Sequence, residues 1–552
     1  MTIPMAGRAR NYPQVTPTAA DLVDGAVAAA PASLSATDAL RLARRRGVDV
    51  VAAGGDFVLR EDLARAESLG VSDLPLRRLA RPLPALAAGA GEIAVRRALA
   101  AGAPAVVVLD RRRPVGVVRR PPRPTAISMQ ARLARVLDEE SLTLLATAGR
   151  LAVAHGATAY VVGGLVRDAW LGRAPARHDL DVAVEGDALA VARALADTLG
   201  GTLVEHERFL TASVALTSGR RVDLVTARSE RYEGAGALPR VLPAAIAQDL
   251  KRRDFTVNAM AAELGSGSFE LLDPLGGAAD VGRRTLRILH PLSFVEDPTR
   301  IFRAARYAAR LGFTLDAWSV RGRTLALELA PYEALSPARI VAELEHILAD
   351  AEPARALAAL ARAGAFRLLD RRHRAGRGLV TRLEQAPATL GWARAHGRPA
   401  PGLELLAAAL AAGQPPDVAT AVLRRLGVSG APLERVRTAL ASDLAARLRA
   451  ARRASEVGRL VRASSPTEVA WLHLSGDAAA RARLERGVAP AGDGRPELDG
   501  EAVIGLGVAR GPQVARVLGA LRDARLDGEI RDRQGEIDYV RSWLHHHTEK
   551  EG

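Results

Sequence analysis

The stretch YVVGGLVRDAWLGRAPARHDLDVAV, residues 160–184, decides the fold of the central part of the chain. An apolar run ends at Gly163 and Gly164, a helical pattern follows as far as Leu171, and an alternating apolar pattern begins at Asp179. These patterns predict, in that order, a strand, a glycine turn, a helix and a second strand.

Two acids on the second predicted strand suggest a metal site. Asp179 and Asp181 are two residues apart, and because strand side chains alternate between faces, we expect both carboxylates on the same side. Neighbouring anions repel each other unless a divalent cation lies between them, and Mg²⁺ prefers carboxylate oxygens together with substrate phosphates. Beside a glycine turn, the pair indicates a Mg²⁺ site that handles a nucleoside triphosphate. Taken alone, the pattern Asp-Leu-Asp also fits a solvated turn with two incidental acids.

The composition predicts a largely helical protein of several domains. The chain has 552 residues, of which 48% are hydrophobic but only 3% aromatic. No apolar run is long enough to span a bilayer and the N-terminus lacks the apolar core of a signal peptide, so we expect a cytoplasmic protein. The absence of cysteine excludes disulfides and thiolate ligands. The net charge of +15 favours a polyanionic partner, although an arginine-rich genome gives the same balance.

Several ordered segments carry a resemblance to a known family: VGGLVRDAWLGR, HDLDVAV, RVDLVTAR, DLKRRDFTVNAM, LLDPLGGAADV and EDPTRIFRAARYAARLGF. They resemble the class II tRNA nucleotidyltransferases and bacterial poly(A) polymerases, closely over residues 160–313 and more weakly beyond. The resemblance implies an α+β nucleotidyltransferase head, a small mixed sheet with helices, followed by an all-α neck, body and tail. It also implies template-independent addition of C and A, or of A alone, to the 3′ end of tRNA. The implied reactants and cofactor are ATP, CTP and Mg²⁺, with release of pyrophosphate.

The resemblance assigns catalytic and phosphate-binding roles to the first motifs. Asp179 and Asp181 are the metal ligands, and Asp223 on a later strand is either a third catalytic carboxylate or a structural acid. The nucleotide-binding residues that it implies, from the glycine turn onward, are Gly163, Gly164, Arg167, Asp168, Arg253, Asn258, Asp297, Arg300, Arg303 and Arg306. The turn and Arg167 are expected to cradle the triphosphate, with Asp168 orienting Arg167 or the ribose.

The arginines of the later motifs suit a nucleotide by their chemistry. A guanidinium donates paired hydrogen bonds to phosphate oxygens, and a neighbouring acid can hold it in place. We expect Arg253 to contact phosphate, held by the adjacent acid, and Asn258 to contact ribose.

The segment EDPTRIFRAAR has the spacing of a helix. Asp297 and Arg300 are three residues apart, as are Arg303 and Arg306, which predicts a shared helix face. By resemblance, the first pair reads the base edges of C and A, and the second lies toward the nucleotide or its phosphates. A ladder of salt bridges within the helix explains the spacing equally well.

An internal repeat precedes the head. Segments 38–63 and 92–120 share a basic helix, a glycine (Gly47 or Gly102) and two Val-rich strands. The pattern resembles a degenerate α/β tandem pair of CBS domains, whose cleft can hold an adenosine nucleotide, and Asp62 is the candidate ribose contact. A structural or oligomerising role is the alternative. The pair favours the A-adding branch of the family.

The motif positions predict the domain boundaries. We expect a flexible tail (1–17), the CBS-like pair (18–120), a linker (121–140), the head (141–275), a neck with the nucleotide-selecting helix (276–350), and an RNA-binding helical body and tail (351–552). Segments 202–216 and 220–228 each predict a strand, and the Gly- and Pro-rich segment 229–243 predicts a mobile loop. The alternative functions are a poly(A) polymerase acting on other RNA ends, and an inactive RNA-binding sensor of adenosine nucleotides.

Overall fold

The computed structural model describes residues 17–119, 127–174, 179–488 and 495–548. Nearly all of the predicted flexible tail and the first part of the predicted linker lie outside these residues. The chain divides into two compact units at the bond between Leu335 and Ser336, within the segment predicted as the neck.

The internal repeat is present as two three-stranded sheets of the same topology. The elements of this N-terminal module are β1 Val27–Ala29, α1 Ala36–Arg46, β2 Val50–Ala53, β3 Asp56–Leu59, α2 Arg60–Ser68, α3 Leu76–Leu79, β4 Ala85–Ala87, α4 Glu92–Ala100, β5 Val106–Asp110 and β6 Arg113–Val118. In each sheet the first strand is parallel to the second, and the second antiparallel to the third. The identity of the module as a CBS pair stays a prediction.

The head and the segment that follows it complete the first unit. Their elements are α5 Gln130–Leu133, α6 Glu139–Ala154, β7 Thr158–Val162, α7 Gly164–Leu171, β8 Asp179–Glu185, α8 Ala188–Leu199, β9 Thr202–His206, β10 Thr211–Ala215, β11 Arg221–Thr226, β12 Arg228–Arg231, β13 Arg240–Pro243, α9 Ile246–Lys251, β14 Ala261–Glu263, β15 Leu271–Leu272, α10 Gly277–Gly282, β16 Thr285–Leu286, α11 Ser293–Glu296, α12 Thr299–Leu311, β17 Thr314–Leu315 and α13 Ala317–Leu329. Among the described residues, seven strands form one mixed sheet in the order β15-β14-β7-β8-β11-β10-β9. The strand, turn, helix and strand predicted for 160–184 are therefore confirmed.

Two predicted segments of the head fold differently. Segment 202–216 is two strands rather than one, because a 3-10 turn at Glu207–Phe209 reverses the chain and pairs β9 with β10. Segment 229–243, predicted as a mobile loop, contributes to the antiparallel pair β12 and β13. In both cases pairing between neighbouring strands satisfies backbone groups that the sequence pattern alone leaves without partners.

The second unit is helical throughout its described residues. Its helices are α14 Pro337–Leu348, α15 Pro353–Arg362, α16 Arg377–Ala395, α17 Gly402–Ala411, α18 Pro416–Arg425, α19 Gly430–Ala441, α20 Leu444–Ala450, α21 Ala454–Ala463, α22 Pro466–Ser475, α23 Ala478–Gly487, α24 Gly500–Gly505, α25 Pro512–Leu526 and α26 Arg533–Thr548. Within the described parts of the chain, none of the helices has the length and apolarity needed to cross a bilayer.

Candidate active site

The predicted catalytic acids lie on the two parallel strands at the centre of the large sheet. In the register of β8 and β11, Asp181 lies beside Asp223 and Asp179 lies beside Arg221. Neighbours in register on parallel strands point to the same face, so Asp181 and Asp223 share one. Asp181 is exposed, and the structure describes the backbone of Asp179 but not its side chain. Asp223 is partly exposed and accepts hydrogen bonds from Ser213 and from Nε of Arg221.

The glycine turn follows the end of β7 that lies next to these acids. Strand β7 is antiparallel to β8, with Val161 opposite Val182. Gly163 follows Val161 by two residues and Asp181 precedes Val182 by one. The pairing therefore places the turn and the acids next to each other, as the resemblance implies.

These acids fit a divalent cation. Carboxylate oxygens are the ligands that Mg²⁺ prefers, and neighbouring strands lie about 4.8 Å apart. Since Asp181 is exposed and Asp223 is only partly buried, a cation held by these carboxylates would be accessible to phosphate and water oxygens.

Gly163 allows an arginine to lie against the turn. Its φ of 71° and ψ of −123° belong to a backbone region that only glycine adopts readily. A Cβ at this position would lie 2.8 Å from Nη1 of Arg253. Glycine is therefore needed for the conformation of the turn, and it leaves room for the guanidinium of Arg253 beside it.

Arg253 is held by a different acid from the one predicted. Its Nε and Nη2 donate to Oδ2 of Asp249, at 3.2 and 2.9 Å, rather than to the adjacent Asp254. Asp249 is fully buried, and although burial raises its pKa, Arg253 and Arg252 lower it below the ordinary value. The helical spacing of Asp249 from both arginines explains this choice, because residues three and four apart share a helix face.

A buried chain of hydrogen bonds joins α7 to α12. The guanidinium of Arg167 donates to both oxygens of Asp168 and, through Nη1, to Oδ1 of Asn258 at 2.6 Å. Nδ2 of Asn258 donates to Oδ1 of Asp254 at 3.0 Å. Arg303 donates from Nε and Nη2 to Oδ2 of Asp254, at 2.8 and 2.6 Å. Both ends of the Asn258 amide thus bind protein groups, and its contact with ribose stays a prediction.

Four arginines surround a single aromatic ring beside this network. The guanidinium carbons of Arg306, Arg310, Arg303 and Arg167 lie 4.9, 5.2, 5.7 and 5.8 Å from the ring centre of Tyr307. Cations at such distances are attracted by the negative face of an aromatic ring. The arrangement gathers three predicted nucleotide-binding arginines into one positively charged cluster, which suits a polyphosphate.

The residues predicted to read the base do not form a helical pair. Helix α12 begins at Thr299, so Asp297 lies before it, where its Oδ1 accepts from the backbone N and Oγ1 of Thr299 at 3.0 and 2.6 Å. Arg300 is buried, and its Nη1 donates to Oγ of Ser293 at 2.8 Å and to Oε2 of Glu296 at 3.3 Å. Nη2 of Arg300 also donates to the carbonyl oxygen of Arg252 at 2.9 Å. Contacts outside α12 therefore hold both side chains, and a ladder of salt bridges within that helix does not account for them.

The lowered pKa of Asp254 predicts that the protein loses stability in acid. Burial alone would raise the pKa of Asp254, but Arg303 and Asn258 lower it from 3.8 to about 2. A depressed pKa gives stability that is present above the unfolded value and is lost as the pH falls toward 2, here about 2 kcal/mol. We expect the difference in urea midpoint between wild type and Asp254→Asn to narrow between about pH 5 and pH 2. A difference that stays constant over this range would contradict the assignment.

Known proteins resemble this chain over the head alone or over most of its length. A family model described as the poly A polymerase head domain matches residues 159–287, which include the glycine turn and the acids. A CC-adding tRNA nucleotidyltransferase of Deinococcus radiodurans is 36% identical over 395 residues, 70% of this chain and 89% of that protein. An A-adding tRNA nucleotidyltransferase of Geobacter sulfurreducens is 37% identical over 45% of this chain and 26% of that protein. The chain spans about half or less of the length of the curated A-adding relatives that it matches.

Solved structures show the same fold. The Thermotoga maritima CCA-adding enzyme complexed with tRNA matches 76% of this chain and 100% of its own, with a TM-score of 0.62 and 26% sequence identity. The mixed sheet and the helical C-terminal unit are therefore those of a CCA-adding enzyme fold.

Proposed function

The chain belongs to the tRNA nucleotidyltransferase family, and we propose from this that it adds C and A, or A alone, to the 3′ end of tRNA. The substrates are CTP and ATP, and the leaving group is pyrophosphate. The observation that carries the proposal is the placement of Asp181 beside Asp223 on one face of the sheet, at the same edge as the Gly163 turn. The relatives of similar sequence are A-adding and CC-adding enzymes, which supports this chemistry.

The acids and the arginines divide the work of the transfer. Asp179, Asp181 and Asp223 would hold Mg²⁺, which when bound supplies positive charge at the reacting phosphate and favours ionisation of the RNA 3′-OH. Arg253, held by Asp249 against the turn, binds phosphate oxygens and orients the triphosphate. Fixing the α-phosphate and the 3′-OH in line lowers the entropic part of the barrier.

Base selection falls to the protein rather than to a template. Asp297 offers acceptor oxygens and Arg300 offers donors, which together complement the donor and acceptor groups on the base edges of C and A. In the structure, Arg300 is buried, and its contacts with Ser293, Glu296 and the carbonyl oxygen of Arg252 set its orientation.

Three tRNA substrates test the proposal directly. They end in the discriminator base, in C and in CC, and each is incubated with labelled ATP or CTP. A CCA-adding enzyme extends all three, a CC-adding enzyme extends the first two with C, and an A-adding enzyme extends only the third. Long tails of A on any RNA would instead indicate a poly(A) polymerase, and no incorporation into any substrate would contradict the proposal.

An arginine-lined cavity in the second unit supports tRNA binding. It has a volume of about 790 Å³, and none of the described residues that line it is acidic. Its arginines are Arg398, Arg452, Arg453, Arg462, Arg483, Arg486, Arg495 and Arg522. RNA phosphates bind such surfaces through charge and shape, with affinity that falls as salt is raised.

We expect the double variant Arg452→Ala/Arg486→Ala to bind tRNA about tenfold more weakly. Both side chains are exposed in this cavity, and each phosphate contact removed lowers the slope of log K against log salt by about 0.7 to 0.9. Binding is measured by fluorescence anisotropy from 50 to 300 mM salt. Arg437→Ala, an exposed arginine paired with Glu434 outside the cavity, is the matched control. A double variant with the same slope as the control would exclude this surface.

The N-terminal module has a cleft of its own. A cavity of about 480 Å³ is lined by Arg44, Asp49, Arg60 and Arg119, among others, and Asp49 pairs with both Arg60 and Arg119. Asp62, predicted as the ribose contact, is buried instead and pairs with other arginines, so it is not available to a ligand there. Binding of an adenosine nucleotide in this cleft stays a prediction.

A further inference from the structure

The N-terminal module packs directly against the segment that follows the head. The guanidinium of Arg81 lies over the ring of Trp318, 4.7 Å from its centre, and Arg78 pairs with Glu328. Trp318 and Glu328 both belong to α13, which packs against α11. The module therefore lies beside α13, whose neighbour α11 ends just before Asp297 and packs against α12, the helix that carries Arg300.

The backbone of the module and that of the segment after the head approach so closely at one point that only glycine fits there. A Cβ on Gly102 would lie 2.7 Å from Cα of Gly276, and a Cβ on Gly276 would lie 2.6 Å from Cα of Gly102. Arg287 donates to the carbonyl oxygens of Gly102 and Leu275 at 3.4 and 3.1 Å. This contact fixes the module on the head by backbone geometry as well as by charge.

One side chain of the module reaches the environment of Arg300. Nε of Arg65, on α2, lies 3.3 Å from Oε1 of Glu296. The other oxygen, Oε2, is 3.3 Å from Nη1 of Arg300 and 3.0 Å from Nε2 of His290. Glu296 is thus shared between a residue of the module and the arginine that is predicted to read the base.

Arg65 is one of three side chains that contact the carboxylate of Glu296. His290 is buried, and burial together with Arg65 lowers its pKa below the ordinary value, whereas Glu296 raises it. Glu296 is also buried, and although burial raises its pKa, His290, Arg65 and Arg300 hold the pKa well below the ordinary value. Arg65 and Arg300 are the two guanidinium partners of this carboxylate, and a guanidinium stays charged at any ordinary pH. A buried carboxylate that loses one of two such partners either becomes hydrated or forms a closer ion pair with the partner that remains.

Arg65 is itself held in place from within the module. Its Nη1 donates to Oδ1 of Asp62 at 3.3 Å, and the other oxygen of Asp62 accepts from Arg81 at 2.9 Å. Asp62 is only 1% exposed. A continuous set of ion pairs therefore runs from Arg81 through Asp62, Arg65 and Glu296 to Arg300, and all of its members except the partly exposed Arg65 are buried.

We propose that Arg65 is a positioning residue for nucleotide selection, acting through Glu296 on Arg300. The N-terminal module then contributes to the choice of nucleotide, in addition to any ligand that it binds. This inference rests on the proposed function, since Arg300 selects a base only if the chain is a nucleotidyltransferase.

The test compares Arg65→Ala and Arg78→Ala in the full-length chain. Both remove an arginine from the same interface, but only Arg65 contacts Glu296. We expect Arg65→Ala to lower the ratio of kcat/KM for the preferred nucleotide over the competing nucleotides at least tenfold, and Arg78→Ala to leave that ratio unchanged. Arg65→Lys, which keeps the charge, should recover part of the ratio. An unchanged ratio in Arg65→Ala, or an equal loss in both alanine variants, would overturn the inference.

A double-mutant cycle separates positioning from general destabilisation. If Arg65 acts through Glu296, the Glu296→Gln change alone already removes the Arg65–Glu296 ion pair. The double variant Arg65→Ala/Glu296→Gln should then lose no more selectivity than Glu296→Gln does. Additive losses would show that Arg65 acts by another route. Should Arg65→Ala fail to fold, the cycle is run with Arg65→Lys.

A binding measurement distinguishes failure of this inference from failure of the proposed function. The affinities of ATP and CTP for wild type and for Arg65→Ala are measured by calorimetric titration without RNA. A wild-type protein that extends no tRNA refutes the function, whereas an ATP to CTP affinity ratio that is identical in the two proteins refutes the role of Arg65.

Discussion

Replacing Asp181 with alanine is expected to lower the rate of nucleotide addition about a thousandfold or more. A loss of this size corresponds to about 4 kcal/mol of transition-state stabilisation, which is within the range supplied by a metal at a developing charge. Since Asp181 is exposed on β8, its removal should cost little stability. The rate is measured under single-turnover conditions with labelled ATP and a tRNA that ends in CC, and with CTP and shorter ends if that substrate is not extended.

Control variants separate a metal role from a general effect on the head. Asp197→Ala removes an exposed acid of the same type from α8 and should leave the rate unchanged. Asp179→Ala should match Asp181→Ala, and all three variants should bind tRNA as wild type does. Asp223→Ala should raise the Mg²⁺ concentration needed for half-maximal rate. Normal incorporation by Asp181→Ala or Asp179→Ala would refute the assignment of the metal site.

Asp254→Ala is expected to destabilise the head by about 3 to 5 kcal/mol. Asp254 is 5% exposed and accepts two hydrogen bonds from Arg303 and one from Asn258. Removing Asp254 leaves the buried amide of Asn258 and the partly exposed guanidinium of Arg303 without this acceptor. The loss of a buried acceptor that serves several donors is among the costliest single changes in a protein. We expect a lower urea midpoint and a nucleotide addition rate at least a hundredfold lower, because Arg303 is no longer fixed.

A compensating change tests whether the cost comes from the buried charge. In Asp254→Ala/Arg303→Met both charges are removed, so part of the lost stability should return while activity stays low. Glu434→Ala, which removes an exposed partner of Arg437, should change the midpoint little and serves as the control. If Asp254→Ala were as stable as this control, the hydrogen-bonded chain from α7 to α12 would not be a structural element of the head.

Local patterns in the sequence predicted the framework of the active site. The glycine pair and the alternating run placed the turn and the acids on β7, α7 and β8, because both signals depend on residues only a few positions apart. The internal repeat also appears as predicted, in the matching topology of the two small sheets.

The partners of the charged residues could not be predicted in this way. Asp254 was expected to hold the adjacent Arg253, but it pairs with Arg303, which is 49 positions away. No local signal selects such a partner, because it depends on how α12 packs against the head. Only the pairing of Arg253 with Asp249 had a signal in the sequence, which was the helical spacing of four residues. Glu296 fitted a helix start by pattern and instead ends α11, where it meets Arg65 of the module.

The contact between Gly102 and Gly276 has a consequence for how this protein can evolve. Two backbone segments that touch at glycine leave no room for a Cβ on either side, so a substitution in one part would disturb its packing against the other. A head cut free of its module would uncover Trp318 and leave Glu296 with one counter-charge fewer. Recombination that exchanges the module for another would thus carry a penalty in the head, and descendants of this chain should keep the two parts as a single evolutionary unit.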